Sequence, residues 1–338
     1  MHKKMYRLFL ILISVILLGG CANKQSSEHK SETRLFLDTY CTITVHGQIE
    51  SELLDKAFNL VEEYENLFSI TVEGSDVWSI NNANGEPVIM DFRTVEVIKA
   101  GVYFGDLTDG KFDITIGRLS RLWDFGSYVE NSSYRPLLPS ETELEAALGT
   151  VDYRQIEITG NTVRLGNPDA WIDLGAIAKG YIADKVAELL IEGGVIGALI
   201  DLGGDIVTVG NRSDGSPWRI GIREPVQGTE ELIGAIEASG AAVISSGVYQ
   251  RQFEIDGVIY HHILDPKTGQ PAQSDVVSAT FLTESAVMGE GASTIAVLVG
   301  SEGMLDIYSQ IPGFIGAVLV LNSGEVLEFG DVRLEEVG

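Results

Sequence analysis

The sequence predicts a mixed α/β (α+β) body folded as one unit of catalytic size. Strand patterns cluster in the second half of the chain, and helical patterns alternate with them. Apolar residues fill 45% of the 338 positions, enough for a full core. No internal repeat and no linker interrupts the chain past residue 33. Glycine is abundant, 38 residues, so tight turns and close backbone approaches are expected. The formal net charge of −26 excludes nucleic acid and anionic lipid as partners of the folded body. A phosphate ligand stays open, because a bound divalent cation inverts the local field.

The first residues read as a targeting segment. Lys3, Lys4 and Arg7 precede an apolar run, Leu8 to Leu18, too short for a comfortable membrane span. The run ends in Leu18-Gly19-Gly20-Cys21, which resembles a bacterial lipobox, where the Cys is lipidated and begins the mature protein. An ordinary secretory peptide or an uncleaved anchor is the plainer alternative. The expected organisation is a signal peptide over 1–20, a polar tether over 21–33 from lipidated Cys21, and a folded domain over 34–338. A lipid would then hold the body at the extracytoplasmic face of the cell membrane. Cys41 has no second partner in the mature chain, so no disulfide framework exists, and it reads as a small core residue.

Arg34 to His46 alternates apolar and polar residues, as in a strand or bent strand pair. Glu50 to Phe68 is an amphipathic helix with Leu53, Leu54, Ala57, Phe58, Leu60, Val61 and Tyr64 on its apolar side. Ser75 to Asn84 is a polar loop around a short helical turn. Thr94 to Leu107 is a second helix, closed by Asp109-Gly110. The following TDGKFDITIGRLSRLWDFG reads as loop. Ser140 and Glu143 form a capping box, and Gly160-Asn161 joins two short strands. Later strands fall at 196–200, 218–222, 232–238, 241–245 and 276–283. A hairpin turns at Asp256-Gly257, a helix covers 284–299, and a last hairpin turns at Asn322-Ser323-Gly324.

Trp171 to Leu190, WIDLGAIAKGYIADKVAELL, organises the rest. Asp173 is an N-cap candidate, and Ile182, Val186, Leu189 and Leu190 give the helix a buried face. Gly175 and Gly180 leave the backbone bare where the helix begins. With Lys179 beside it, such a helix start suits a phosphate. A strand-to-helix turn with glycines for close packing fits the same residues.

Three further stretches carry more polar chemistry than a core needs. Ser245 to Pro271 holds a Ser-Ser-Gly turn, Tyr249, Arg251 and adjacent His261 and His262 at a strand end. Strand neighbours face opposite ways, so only one His can point at a given site. His262, beside Asp265-Pro266, could serve as a base, or be a structurally bonded His. Glu290 and Thr294 lie four apart, so on a helix their oxygens share a face and suit a hard cation such as Mg²⁺. A surface Glu and a back-bonding Thr is the bland alternative. Gly289 and Gly291 hint at a close backbone approach there. Asp201-Leu202-Gly203-Gly204-Asp205 is a turn after a buried strand, where open sheets often place ligands. No GxxxxGK[ST], GxSxG, CxxC or HExxH occurs, which removes several common enzyme classes.

Taken in order, SDVWSIN, TDGKFDITIGRLSRLWDFG, DLGAIAKGYIAD, LIDLGGDI, SSGVYQRQF and HHILDPKTGQP resemble the ApbE family, the FAD:protein FMN transferases. The resemblance implies a single ApbE-like catalytic body with mixed sheets packed by helices. It implies FAD as substrate with Mg²⁺, cleavage of the pyrophosphate, transfer of FMN through its phosphate to a Thr or Ser of an exported flavoprotein, and release of AMP. By position it assigns the metal to Glu290, Thr294 and the backbone carbonyl of Ala178. It makes His262 the base, with Arg251 and Lys179 meeting phosphate or the flavin edge. Asn81, Thr42, Asp173, Asp205 and Tyr249 complete the cofactor-binding set. Two positions depart from the family pattern: Glu290 stands where Asp is usual, and Tyr40-Cys41-Thr42 replaces a Met-Gly-Thr turn. An FAD pyrophosphatase using water as acceptor, and a non-catalytic flavin-binding lipoprotein, are the competing readings.

Overall fold

The computed structural model describes residues 29–47, 50–130 and 136–336. The expected lipidation site Cys21 and most of the expected tether lie outside them. The chain is ordered as strand from His29, so the tether's expected end at residue 33 is corrected: β1 (His29–Phe36) already pairs with β2 (Thr39–His46). Leu37 and Asp38 make the two-residue turn, both at positive φ (54° and 55°), the backbone such a tight hairpin requires.

The centre is an eight-stranded antiparallel sheet in the order β1-β2-β6-β7-β10-β13-β14-β15. The new members are β6 (Gly197–Leu202), β7 (Asp205–Gly210), β10 (Ala242–Gly247), β13 (Val276–Thr283), β14 (Phe314–Leu321) and β15 (Val326–Gly330). Its middle strands are apolar on both faces because both faces are covered. Ile244, Phe281 and Leu319 face the main core, while their neighbours Val243, Leu282 and Val318 face a smaller one. That smaller core is closed by the hairpin of β8 (Trp218–Arg223) and β9 (Leu232–Ala238).

Helices cover the main face. In α1 (Ser51–Phe68), Leu54, Ala57, Phe58, Val61, Tyr64 and Phe68 form the buried stripe. The short α2 (Asp76–Asn81) is capped by Ser75, whose hydroxyl accepts from Trp78 N–H. Asp91 caps α3 (Phe92–Leu107). The GRLSRLW stretch, expected to be loop, is helical as α4 (Gly117–Trp123), followed by α5 (Phe125–Glu130). Its apolar residues are spaced by four: Leu119 and Trp123 face inward, and the indole N–H of Trp123 reaches Gly269 O at 2.7 Å. Around them an aromatic stack of Trp123, Phe125, Phe253 and Tyr260 joins α4 to the hairpin of β11 (Gln252–Ile255) and β12 (Val258–His261). The capping box of Ser140 and Glu143 opens α6 (Glu141–Leu148) as expected. The strands around Gly160 form β4 (Ile156–Thr159) and β5 (Thr162–Leu165), with β3 (Val88–Ile89) on the outer edge of β5.

Two helices meet where the site forms. α7 (Ala178–Glu192) starts at Ile177, not at Asp173, which corrects the expected cap. Asp173 is four residues too early; its Oδ1 instead accepts from Gly175 N–H at 2.9 Å, a local turn. α8 (Ala286–Ile307) runs past the expected end and is broken at Gly300, whose φ of 78° only glycine takes readily. Among the described residues no helix is long and apolar enough to cross a membrane.

Candidate active site

The N-termini of α7 and α8 touch. Gly180 is buried there, and a Cβ on it would lie 2.5 Å from Ala286 O, so its role is close packing. This corrects the expectation of a bare helix start at Gly180; Gly175 alone stays exposed. Across this contact each helix caps the other. Asp184, nearly two turns into α7, accepts from Ala286 N–H (2.7 Å), Val287 N–H (3.2 Å) and the Ser285 hydroxyl (2.7 Å). Glu290, one turn into α8, accepts from Gly180 N–H at 2.7 Å. Both carboxylates satisfy otherwise orphaned helix-start N–H groups and meet a positive dipole end.

The other oxygen of Glu290 lies 2.5 Å from Lys179 Nζ, and Asp205 Oδ2 lies 2.6 Å from the same nitrogen. The Asp205 contact is an ion pair out of hydrogen-bond alignment, so Oδ2 has no other partner. Lys179 is therefore committed to two buried carboxylates, which corrects its expected availability to a phosphate. Burial opposes its charge, but the two carboxylates outweigh burial and hold the ammonium protonated well above its ordinary range. Burial pushes the Glu290 carboxyl up, and Lys179 offsets part of that. The turn before Asp205 is organised by Asp201, which accepts Gly204 N–H at 2.7 Å.

Thr294 follows Glu290 by one turn on the same helix face. Its hydroxyl lies 3.3 Å from Ser246 Oγ, which also meets Ser293 Oγ at 2.7 Å. Ser246 was not singled out in the sequence beyond its Ser-Ser-Gly turn, yet β10 delivers it to this cluster. Gly291 and Gly289 permit the packing: a Cβ at Gly291 would lie 2.2 Å from the Phe104 ring, and one at Gly289 2.7 Å from Thr283 Oγ1. Ala178 opens α7 two residues before Gly180, whose N–H meets the Glu290 carboxylate. Among the described residues no three His, Cys, Asp or Glu side chains converge as a metal group. A cation here would draw on carboxylate, hydroxyl and carbonyl oxygens together. That donor set fits a hard cation, and the pocket already stabilises one positive charge, the Lys179 ammonium.

The second group is the hairpin. His261 turns inward, 6% exposed, with Nε2 3.1 Å from Ala272 O. His262 turns the other way, half-buried, its N–H donating to Arg251 O at 3.1 Å and Nδ1 3.3 Å from the same oxygen. Burial, then the Arg251 guanidinium, pushes the His262 imidazole down to about 3, so the ring is neutral at pH 7. Arg251 is exposed, and Tyr249 folds its ring over Gly247. The Asp265-Pro266-Lys267-Thr268-Gly269 turn is held by Lys111 Nζ on Asp265 Oδ2 at 2.8 Å, tying TDGKFD to the His262 segment.

Two expected cofactor residues are placed as supports. Asn81 is buried and gives its carboxamide to Ile172, accepting its N–H at 2.7 Å and donating to its carbonyl at 2.8 Å. The carboxamide thereby pins the segment entering DLGAIAKG. Thr42 sits opposite Asp201 in register, its hydroxyl 2.9 Å from that of Thr33.

The comparisons with known proteins bear on this arrangement. The ApbE family model matches residues 37–319. A protein of Vibrio cholerae named FAD:protein FMN transferase is 33% identical over 296 residues, covering 86% of this chain and 87% of its own. The crystal structure of an ApbE protein of Thermotoga maritima superposes with a TM-score of 0.80 at 32% identity, covering 89% of this chain and 97% of that one. A variant of the flavin transferase ApbE from Vibrio cholerae gives 0.78 at 30% identity, covering 90% and 98%.

Proposed function

The chain belongs to the ApbE family, and from that premise we propose that it is an Mg²⁺-dependent FAD:protein FMN transferase acting on exported flavoproteins. The observation that supports the reading is the Glu290 carboxylate on the Gly180 N–H at the start of α7, with Thr294 one turn further along α8. Glu290, Thr294 and the Ala178 carbonyl would hold the Mg²⁺, which would supply charge neutralisation to the phosphate oxygens.

The residues of this chain do the rest. His262 accepts the proton of the acceptor Thr or Ser hydroxyl as its oxygen attacks the FMN-side phosphorus. The bond from that phosphorus to the bridging oxygen breaks, and AMP leaves with the electron pair. Arg251, exposed beside His262, faces the phosphate or flavin edge. Lys179 fixes Glu290 and Asp205, and Asn81 fixes the strand leading to Asp173. The products are a phosphoester-linked FMN on the acceptor and free AMP. Lipidation of Cys21 would hold this chemistry at the outer face of the cell membrane, where exported acceptors fold.

The test is direct. The protein is incubated with FAD, Mg²⁺ and an exported flavoprotein fragment, then read by in-gel flavin fluorescence and intact mass. A covalent FMN-sized increment on the fragment, lost with EDTA, is the expected result. AMP release without labelling of any acceptor would replace the reading with FAD pyrophosphatase. Tight FAD binding with no AMP would replace it with a flavin-binding protein.

A further inference from the structure

We propose that Arg118 and Arg121, seated on the indole of Trp171, form a docking platform for a carboxylate-bearing segment of the acceptor protein. This inference rests on the transferase reading above and names what its acceptor presents.

Among the described residues most arginines of this acidic chain are paired: Arg34, Arg93, Arg154, Arg164, Arg219, Arg223 and Arg333 all lie within ion-pair distance of a carboxylate. Arg118 and Arg121 do not, in a chain with 49 acidic and 23 basic residues. They share one anchor instead. The Arg118 guanidinium lies 4.0 Å from the Trp171 ring centroid and that of Arg121 5.3 Å. Arg118 is further fixed by its Nε–H on Asp169 O at 2.9 Å. The opposite face of α4 is locked by buried Leu119 and Trp123. Gly117 lets the helix press onto this strand, since a Cβ there would lie 2.8 Å from Trp171 O.

The placement relates the platform to the site. Trp171 stands two residues before Asp173 in an extended segment, with fully buried Ile172 between them. Alternation therefore puts Trp171 and Asp173 on one face, next to the turn that opens α7. The indole face under Arg118 is closed to an adenine or flavin ring. What the platform offers is fork-shaped N–H groups of two ordered guanidiniums, which match carboxylates and lose little freedom on binding them. The chain as a whole carries a net charge of −26, so these two cations give such a segment local register as well as affinity.

The experiment uses the whole protein with two synthetic peptides that share a central Thr. One carries flanking Asp residues and the other Asn at the same positions. The Arg118→Glu, Arg121→Glu double variant is compared with wild type and with Arg118→Lys, Arg121→Lys. The expected result is a rise of about tenfold or more in KM for the Asp peptide in the Glu variant, with kcat and FAD affinity unchanged. The Lys variant keeps most of the affinity, and wild type prefers the Asp peptide in a salt-sensitive way. Equal KM values for wild type and the Glu variant overturn the platform while leaving the transferase reading intact. A parallel fall in FAD affinity, measured by flavin fluorescence, also overturns it by assigning the arginines to the nucleotide. Failure of wild type to label either peptide or any exported flavoprotein fragment overturns the transferase reading, and the platform with it.

Discussion

Asp184 and Glu290 each cap the start of the other's helix at the crossing of α7 and α8, and they are satisfied differently. Asp184 is half-buried and nearly two turns into α7; Glu290 is buried and one turn into α8. Asp184 is met by two backbone N–H groups and a hydroxyl, all neutral and all fixed by the fold. Glu290 is met by one backbone N–H and a lysine ammonium shared with Asp205. Burial raises both carboxyls above their ordinary values. The difference teaches which end of the crossing is structural. A carboxylate held by neutral donors is complete; one held by a lysine ammonium sits where a positive charge is already accommodated, and Thr294 follows that one by a turn on the same helix.

Breaking this comparison at Glu290 has the largest expected effect. Glu290→Gln keeps an oxygen to accept Gly180 N–H but removes the charge. Mg²⁺-dependent AMP release should fall by about a hundredfold or more, with a thermal midpoint close to wild type. Undiminished turnover in Mg²⁺ would remove Glu290 from the metal set. The next largest is His262→Ala, which should slow transfer by about a hundredfold or more while FAD binding stays near wild type. Parallel loss of both would make His262 a binding residue. Because the imidazole is held down from 6.5 to about 3, its base form persists into acid. The acid limb of kcat/KM set by this group should therefore lie well below pH 6.5, and a limb centred at 6.5 would contradict that environment.

Asp184→Ala tests the structural end. It strands two helix-start N–H groups and should cost about 2–4 kcal/mol in urea unfolding, with turnover per folded molecule little changed. A stable Asp184→Ala protein with lost turnover would reverse the assignment of the two ends. Smallest is Asn81→Ala, which leaves the Ile172 N–H and carbonyl unpaired and should cost about 1–3 kcal/mol. FAD affinity should fall only as far as the DLGAIAKG entrance loosens. A loss of FAD binding without loss of stability would give Asn81 a direct cofactor role.

Much of the fold was legible because its signals are local. The stripe of α1, the Ser140–Glu143 box and the glycine turns at 160 and 257 need only neighbours in sequence, and each element stands where its pattern put it. The GRLSRLW helix was hidden because seven residues carry barely two turns of periodicity, and glycine and charge dominate the stretch. At the site, the pairing of Glu290 with Thr294 was visible as an i, i+4 step. The commitments of Lys179 and Asn81 were not, since their partners lie 111 and 91 residues away.

The sequence by itself determined the mixed α/β class, the order of motifs, the opposed directions of His261 and His262, and the close approach at Gly289 and Gly291. All follow from periodicity and residue type. The tertiary structure alone decided which carboxylate meets which cation and which helix caps which. It also decided that Gly180 is packed rather than bare, and that Arg118 and Arg121 remain unpaired on Trp171. These depend on through-space distances of a few ångströms between segments far apart in the chain, and no local pattern encodes them.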